Sequence, residues 1–331
     1  MIIPETKQAA VARALRQAFG VDEFEDVRIL TEGLSSALVF RIVVRGKPYL
    51  LRIIMKTDAM NDPTRQFTCM KIAAEAGIAP RVWYASIEDR LSITDFVEAK
   101  PWPENRAPLI ADTIRKVHSL PAFPKLMNYF DTLDGFIRRF QEREILPEKM
   151  TEDLFRLYGE VARVYPRNDP DGVASHNDLK PENILFDGER VWLVDWEAAF
   201  LNDRYADPAV PANFFVRDEA EENAYLHAYF GEPPGDYRRA RLFLVQQAAH
   251  LYYGTAFLLL VARAGKPIAP NLDAPDFADF HRRLVSGGVS LANEEAREEY
   301  AKIHLNRALR DMQTQRFQDA VARVRAYHMS A

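Results

Sequence analysis

With 331 residues, 48% of them apolar and 27% charged, the chain has the balance of a globular protein large enough for one big core or two lobes, and disorder is not expected outside its ends. The formal net charge of -5 argues against a broad nucleic-acid footprint and suits anionic clefts that take cationic substrates. Cys69 is the only cysteine, which excludes an intrachain disulfide and a cysteine-type zinc site and makes a reducing cytoplasm the simplest setting.

The chain opens Met1-Ile2-Ile3-Pro4-Glu5, without a basic region leading into an apolar stretch, so a secretory signal is not expected. From Glu5 to Phe19, Ala9, Val11, Ala12, Leu15 and Phe19 recur at helical spacing and Gly20 stands where a helix would end. Three β-like runs follow, 27–30, 37–44 and 48–55, separated by 31–36 and by Arg45-Gly46-Lys47, which predicts an antiparallel meander. A helix over 64–76 ends at Gly77, and runs at 82–87 and 91–96 complete five strands. Pro101 and Pro103 flank Trp102 and mark a connection. We therefore expect a lobe boundary near 97, with one lobe over 1–97 and a second over 98–331.

The second region reads as helices at 107–119, 131–142, 151–164, 219–230, 237–264 and, with interruptions, 294–327. Its most apolar run, 256–262, is far short of the roughly 20 residues that cross a bilayer, so no membrane association is expected. One β-rich island interrupts the helices, from Val173 to Asp195, with Asp187-Gly188 as a hairpin turn.

That island holds Ser175-His176-Asn177-Asp178-Leu179-Lys180-Pro181-Glu182-Asn183, then Asp195-Trp196-Glu197 beyond a hairpin. Phosphoryl transfer needs a carboxylate near the attacking hydroxyl and oxygen ligands for Mg²⁺, because positioning and charge neutralisation dominate the reaction. Asp178, Asn183 and Asp195 supply these groups. Asp178 and Asn183 share a short proline-containing loop, and the hairpin would fold Asp195 back beside them.

His176, Asp178, Asn183 and Asp195 resemble the catalytic loop and metal-binding Asp of the protein-kinase-like superfamily. Asn177 replaces the Arg usual in protein kinases, Asp195-Trp196-Glu197 replaces Asp-Phe-Gly, and an Ala-Pro-Glu signal is missing. With Asn202-Asp203 and Asp207-Pro208-Ala209, the pattern over about 30–230 looks like the aminoglycoside phosphotransferase and choline/ethanolamine kinase branch, most like its bacterial choline-kinase-type members. The resemblance implies an α+β, bilobal protein-kinase-like fold that uses ATP and Mg²⁺.

By the same resemblance, Gly33, Ser35 and Ser36 form the phosphate loop, with Ser36 in place of the usual Asn; the competing reading is a plain hairpin turn. Arg52 stands where the family contacts phosphate. Its helix partner would be a Glu, but Gln66 occupies that place and Glu75 is the substitute. The Asp95 carbonyl and Val97 amide would face adenine, and Lys180 would neutralise γ-phosphate charge, against an edge strand and a solvated lysine respectively. His176 reads as a brace for the loop.

Asp178 would accept the substrate proton, while Asn183 and Asp195 hold Mg²⁺. Glu197 and Asp207, with Phe200, Tyr205, Phe214 and Phe215, would form an anionic aromatic pocket for an ammonium group, unless the aromatics are core and Asp207 orders its loop. The implied activity is transfer of the γ-phosphate to a hydroxyl of a small alcohol. Choline or ethanolamine comes first; thiamine, an aminoglycoside or a sugar-like alcohol are alternatives, as is a catalytically silent nucleotide-binding module.

Overall fold

A computed structural model describes residues 3–30, 37–59, 61–167 and 172–330. The chain forms two compact units, Met1–Lys125 with Val173–Leu201, and Leu126–Gly172 with Asn202–Ala331. The division does not fall at 97. The first unit runs on through α3 (Arg106–His118) and takes back the β-rich island. One cause is a ladder bond from the Leu193 amide to the Ile78 carbonyl, 3.0 Å, which ties the island to the segment after α2 (Pro63–Glu75).

The first unit is built on a five-stranded antiparallel sheet ordered β1 (Asp26–Ile29), β2 (Ala37–Val44), β3 (Lys47–Ile54), β5 (Leu91–Asp95), β4 (Val82–Ser86). Arg45 and Gly46 take φ of 51° and 72°, the paired left-handed conformation a two-residue hairpin demands. Side chains alternate across a strand. Tyr49, Leu51 and Ile53 of β3 thus join Leu91 and Ile93 and the Ala10, Val11, Ala14 and Leu15 stripe of α1 (Glu5–Phe19) in one core. Arg52 is left on the opposite face of β3. α1 is pinned by Asp89, whose carboxylate accepts from Arg13 and from the Tyr84 hydroxyl at 2.8 Å.

The mixed α+β architecture expected from the sequence is thus present, a five-stranded sheet followed by a helical C-terminal region. The second unit centres on α8 (Asp236–Arg263), which packs against α4 (Tyr129–Glu142), α6 (Ala206–Phe215), α10 (Glu294–Met312) and α11 (Gln315–Ser330). At 28 residues α8 is, by length and composition, apolar enough to cross a bilayer, unlike the short run that stood out in the sequence; 61% of its most apolar window is buried inside the protein, as in a core helix. Gly254 lets α10 approach: a Cβ there would collide with the Leu305 side chain and sit 3.1 Å from the Ala301 carbonyl oxygen. Gly254→Val should therefore cost about 2–3 kcal/mol of stability, read as a lower urea midpoint at unchanged m-value.

Three histidines from three helices meet in this unit: His250 of α8, His281 of α9 (Phe277–Val285) and His304 of α10. His250 and His304 share a hydrogen bond between their Nδ1 atoms, 2.8 Å, while His281 donates Nδ1–H to the Phe277 carbonyl at 2.6 Å. Burial pushes all three pKa values down, His250 to about 3. The native state thus keeps them neutral while the unfolded chain takes up protons below the ordinary value near 6.5. Stability is complete above that pH and falls as the solution is acidified toward 3, by about 2 kcal/mol for His250 between pH 7 and 5. Denaturation midpoints measured across that range should fall steadily, and less in His250→Gln.

Candidate active site

The site residues of the first unit are placed by a hairpin. β7 (Ile184–Phe186) pairs antiparallel with β8 (Val191–Leu193), Ile184 opposite Leu193, closed by a four-residue loop in which Asp187 Oδ1 accepts from the Glu189 and Arg190 amides at 2.8 and 2.9 Å. The ladder continues one step further, Val194 N–H to Asn183 O at 3.0 Å. That step sets Asn183 beside the strand end from which Asp195 follows.

Pro181 starts a single 3-10 turn over Pro181–Asn183, where its missing N–H costs nothing. The turn folds Asn183 back onto Asp178: Asn183 Nδ2 donates to the Asp178 carbonyl at 2.8 Å and to Oδ2 at 3.0 Å. Lys180 Nζ lies 3.0 Å from the same Oδ2, and the Asp178 charge raises the Lys180 pKa, keeping the ammonium charged. His176, fully buried, has Nε2 2.9 Å from the Val194 carbonyl and its ring 4.7 Å from that of Trp196. It braces the loop.

Arg52 reaches the far side of this group. Its Nη1 lies 2.8 Å from Asp195 Oδ1 and its Nη2 is hydrogen-bonded to Glu197 Oε2. The carboxylates paired with Arg52 are therefore Asp195 and Glu197, the latter 145 residues along the chain, rather than a residue of α2. Gln66 is buried at 4%, and its Nε2 meets no acceptor among the described residues. Burial first, and then the Asp195 charge, raise the Glu197 pKa.

Asp195 and Asn177 both have left-handed backbones, φ 64° and 66°, a conformation that costs non-glycine residues about 1–3 kcal/mol and gathers at functional sites. Among the described residues no group of three or more His, Cys, Asp or Glu side chains could hold a metal. One carboxylate with one amide oxygen is instead the donor set of Mg²⁺, a hard ion that completes its shell with phosphates and water. Asn183 spends its amide nitrogen on Asp178 and so keeps its oxygen for a ligand; Asn183 and Asp195 fit the ion.

The remaining expectations fall in different places. Gly33, Ser35 and Ser36 lie outside the described residues. Asp95 stands at the end of β5, three ladder steps from the Arg52 pair, with Tyr49 opposite Asp95 and Arg52 opposite Ser92, about 10 Å away. The Asp95 side chain accepts from Trp83 Nε1 at 2.7 Å, and Val97 follows in the connection.

Asp207 belongs to the second unit and is 1% exposed in the first turn of α6, where a carboxylate suits the helix dipole. Glu197, at 27%, is the carboxylate of the two that solvent reaches. The ring of Tyr205 already lies under the Arg241 guanidinium, 4.4 Å from its centroid.

Sequence reasoning missed Arg65. It is 5% exposed, and its Nη1 donates to the Ala199 carbonyl at 2.5 Å. The signal was available, because Arg65, Cys69 and Ala73 recur every four residues and put a charge on the inward stripe of α2.

Residues 26–243 match the model of a phosphotransferase enzyme family. A solved choline/ethanolamine kinase family protein from Mesorhizobium loti is similar over 97% of this chain and 99% of its own, with TM-score 0.71 and 20% identity. The choline kinase LicA from Streptococcus pneumoniae is similar over 86% of this chain and 99% of its own, TM-score 0.61, 17% identity. A complex of streptomycin and ATP with APH(2")-IIa is similar over 80% of this chain and 96% of that one, TM-score 0.57, 14% identity. No curated protein sequence matches the chain.

Proposed function

This chain belongs to the phosphotransferase enzyme family, and from that premise we propose that it moves the γ-phosphate of ATP onto a hydroxyl of a small, cationic alcohol. The observation that carries the proposal is the meeting of Asp178, Asn183, Asp195, Arg52 and Lys180 around one hairpin. Two carboxylates, one amide and two cations are what charge-neutralising phosphoryl transfer requires.

Asp178, held by Asn183 and Lys180, orients the substrate hydroxyl and accepts its proton. In a loose transition state the proton leaves late, so positioning of the hydroxyl by this carboxylate matters more than its strength as a base. Asn183 and Asp195 would hold Mg²⁺, which would supply positive charge to offset that of the phosphate groups. Lys180 and Arg52 add fixed positive charge, and Arg52 also orients Asp195 and Glu197. Asp95 and Val97 would take the base end of the nucleotide, with Gly33, Ser35 and Ser36 over its phosphates.

Choline or ethanolamine is the first acceptor proposed, supported by the similar choline and ethanolamine kinases and by the partly exposed carboxylate of Glu197, which suits an ammonium group. An aminoglycoside, thiamine or a sugar-like alcohol is the alternative, and the setting is cytoplasmic. Purified protein incubated with γ-labelled ATP, Mg²⁺ and a panel of these alcohols should label one of them. ATP binding in calorimetry with neither labelling of an alcohol nor slow ATP hydrolysis would favour the silent nucleotide-binding module, for which Ser36 and the unmatched Gln66 speak.

A further inference from the structure

Three consecutive carbonyls immediately after Glu197 are held from two directions. Asn177 Nδ2 donates to Ala198 O at 3.0 Å and to Phe200 O at 3.2 Å. Arg65 donates to Ala199 O at 2.5 Å, and Cys69 Sγ lies 3.8 Å from the same oxygen. Ala199 is extended, φ -71° and ψ 127°, and in extended chain successive carbonyls point to opposite sides. A donor from the catalytic loop therefore takes 198 and 200, and a donor from α2 takes 199.

Neither donor was placed there cheaply. Asn177 adopts a left-handed backbone to present its amide, and burial pulls the Arg65 pKa down, the mark of a guanidinium taken out of water to serve the interior. α2 offers Arg52 no carboxylate; Arg52 is paired with Asp195 and Glu197. The tie of α2 to the site runs through Arg65 and the backbone that follows those two acids.

The geometry points to Arg65 and Asn177 as paired positioning residues, which fix the segment 198–200 so that Asp195 and Glu197 are presented to the metal and to Arg52. This rests on the metal-dependent transfer proposed above, yet part of its test requires no turnover. Asn177→Asp keeps a residue type that tolerates the left-handed backbone but removes the amide donor. Arg65→Met keeps the bulk and removes the charge, and Arg65→Lys restores a donor.

Amide hydrogen exchange at 196–200, measured without nucleotide or metal, should quicken about tenfold or more in Asn177→Asp and Arg65→Met relative to the sheet of the same unit. In both, kcat should fall and the Mn²⁺ concentration for half-activation should rise, each by about 10- to 100-fold, with the acceptor KM within about twofold of wild type. Arg65→Lys should recover most of each change. If Arg65→Met does not fold, Asn177→Asp and Arg65→Lys carry the comparison.

Wild-type local exchange, kcat and metal response in a folded Asn177→Asp would overturn the inference, as would a uniform rise in exchange with kcat unchanged. Wild-type protein that neither binds Mn²⁺ nor turns over would instead sink the transfer reaction, leaving the exchange result to stand by itself.

Discussion

Asp178→Asn is expected to lower kcat by about 10²- to 10⁴-fold, the usual contribution of a positioned proton acceptor, while the melting temperature and ATP affinity change little. The substitution keeps the shape of the side chain and its contact with Asn183. What it removes is the negative charge proposed to orient the hydroxyl and receive its proton, which is also the charge that Lys180 faces at 3.0 Å. The loss should appear in single-turnover rates of phosphate transfer as well as at steady state, because it lies in the chemical step. A variant that transfers phosphate at the normal rate would remove Asp178 from the mechanism.

Asp195→Asn should be at least as damaging, and in a different way. An amide in place of the carboxylate would deprive Mg²⁺ of the charged ligand proposed for it and, among the described residues, leave Arg52 paired with Glu197 alone. We expect turnover at physiological Mg²⁺ to fall by about 10³-fold, with part of it regained at high Mn²⁺, since metal sites lose affinity steeply when a charged ligand is removed. Folding should survive, because the left-handed conformation at 195 suits Asn as well as Asp. Metal titrations of initial rate separate this behaviour from that of Asp178→Asn, whose metal requirement should be unchanged.

The elements that were legible from sequence are those whose signal is local. The pattern from Glu5 to Phe19 with Gly20 behind it gives the observed limits of α1. Asp178, Asn183 and Asp195 lie within one loop and hairpin, so their approach follows from chain continuity. α6 has no counterpart among the helices expected from sequence; Pro208 sits in its first turn, where it is tolerated, and a helix whose residues 206–212 are all buried is held by its surroundings. α9 carried a signal that went unread: Phe277, Phe280, His281 and Leu284 repeat at helical spacing behind the Asp276 cap, whose carboxylate accepts from the Ala278 amide at 2.8 Å.

The parts of the site that sequence did not disclose depend on distant partners. Nothing near Arg52 announces that its carboxylates come from Asp195 and Glu197, and a search confined to α2 leads to Gln66, a side chain without an acceptor there. The boundary expected near 97 followed the end of the five-strand pattern and the connection at Pro101 and Pro103. Compactness follows packing instead, and the hairpin that carries the acids is tied to the chain beside α2. Cys69, weighed in the sequence for disulfides and zinc, is buried with its thiol pushed up to about 11, and it serves as packing beside Ala199.

Crystals grown with Mn²⁺ and a non-hydrolysable ATP analogue offer the most direct measurement, because manganese marks its own position by anomalous scattering. We expect one strong peak between the amide oxygen of Asn183 and the carboxylate of Asp195, with the analogue's terminal phosphate facing Asp178. A nucleotide bound elsewhere, or a metal that leaves both side chains untouched, would contradict the proposed chemistry.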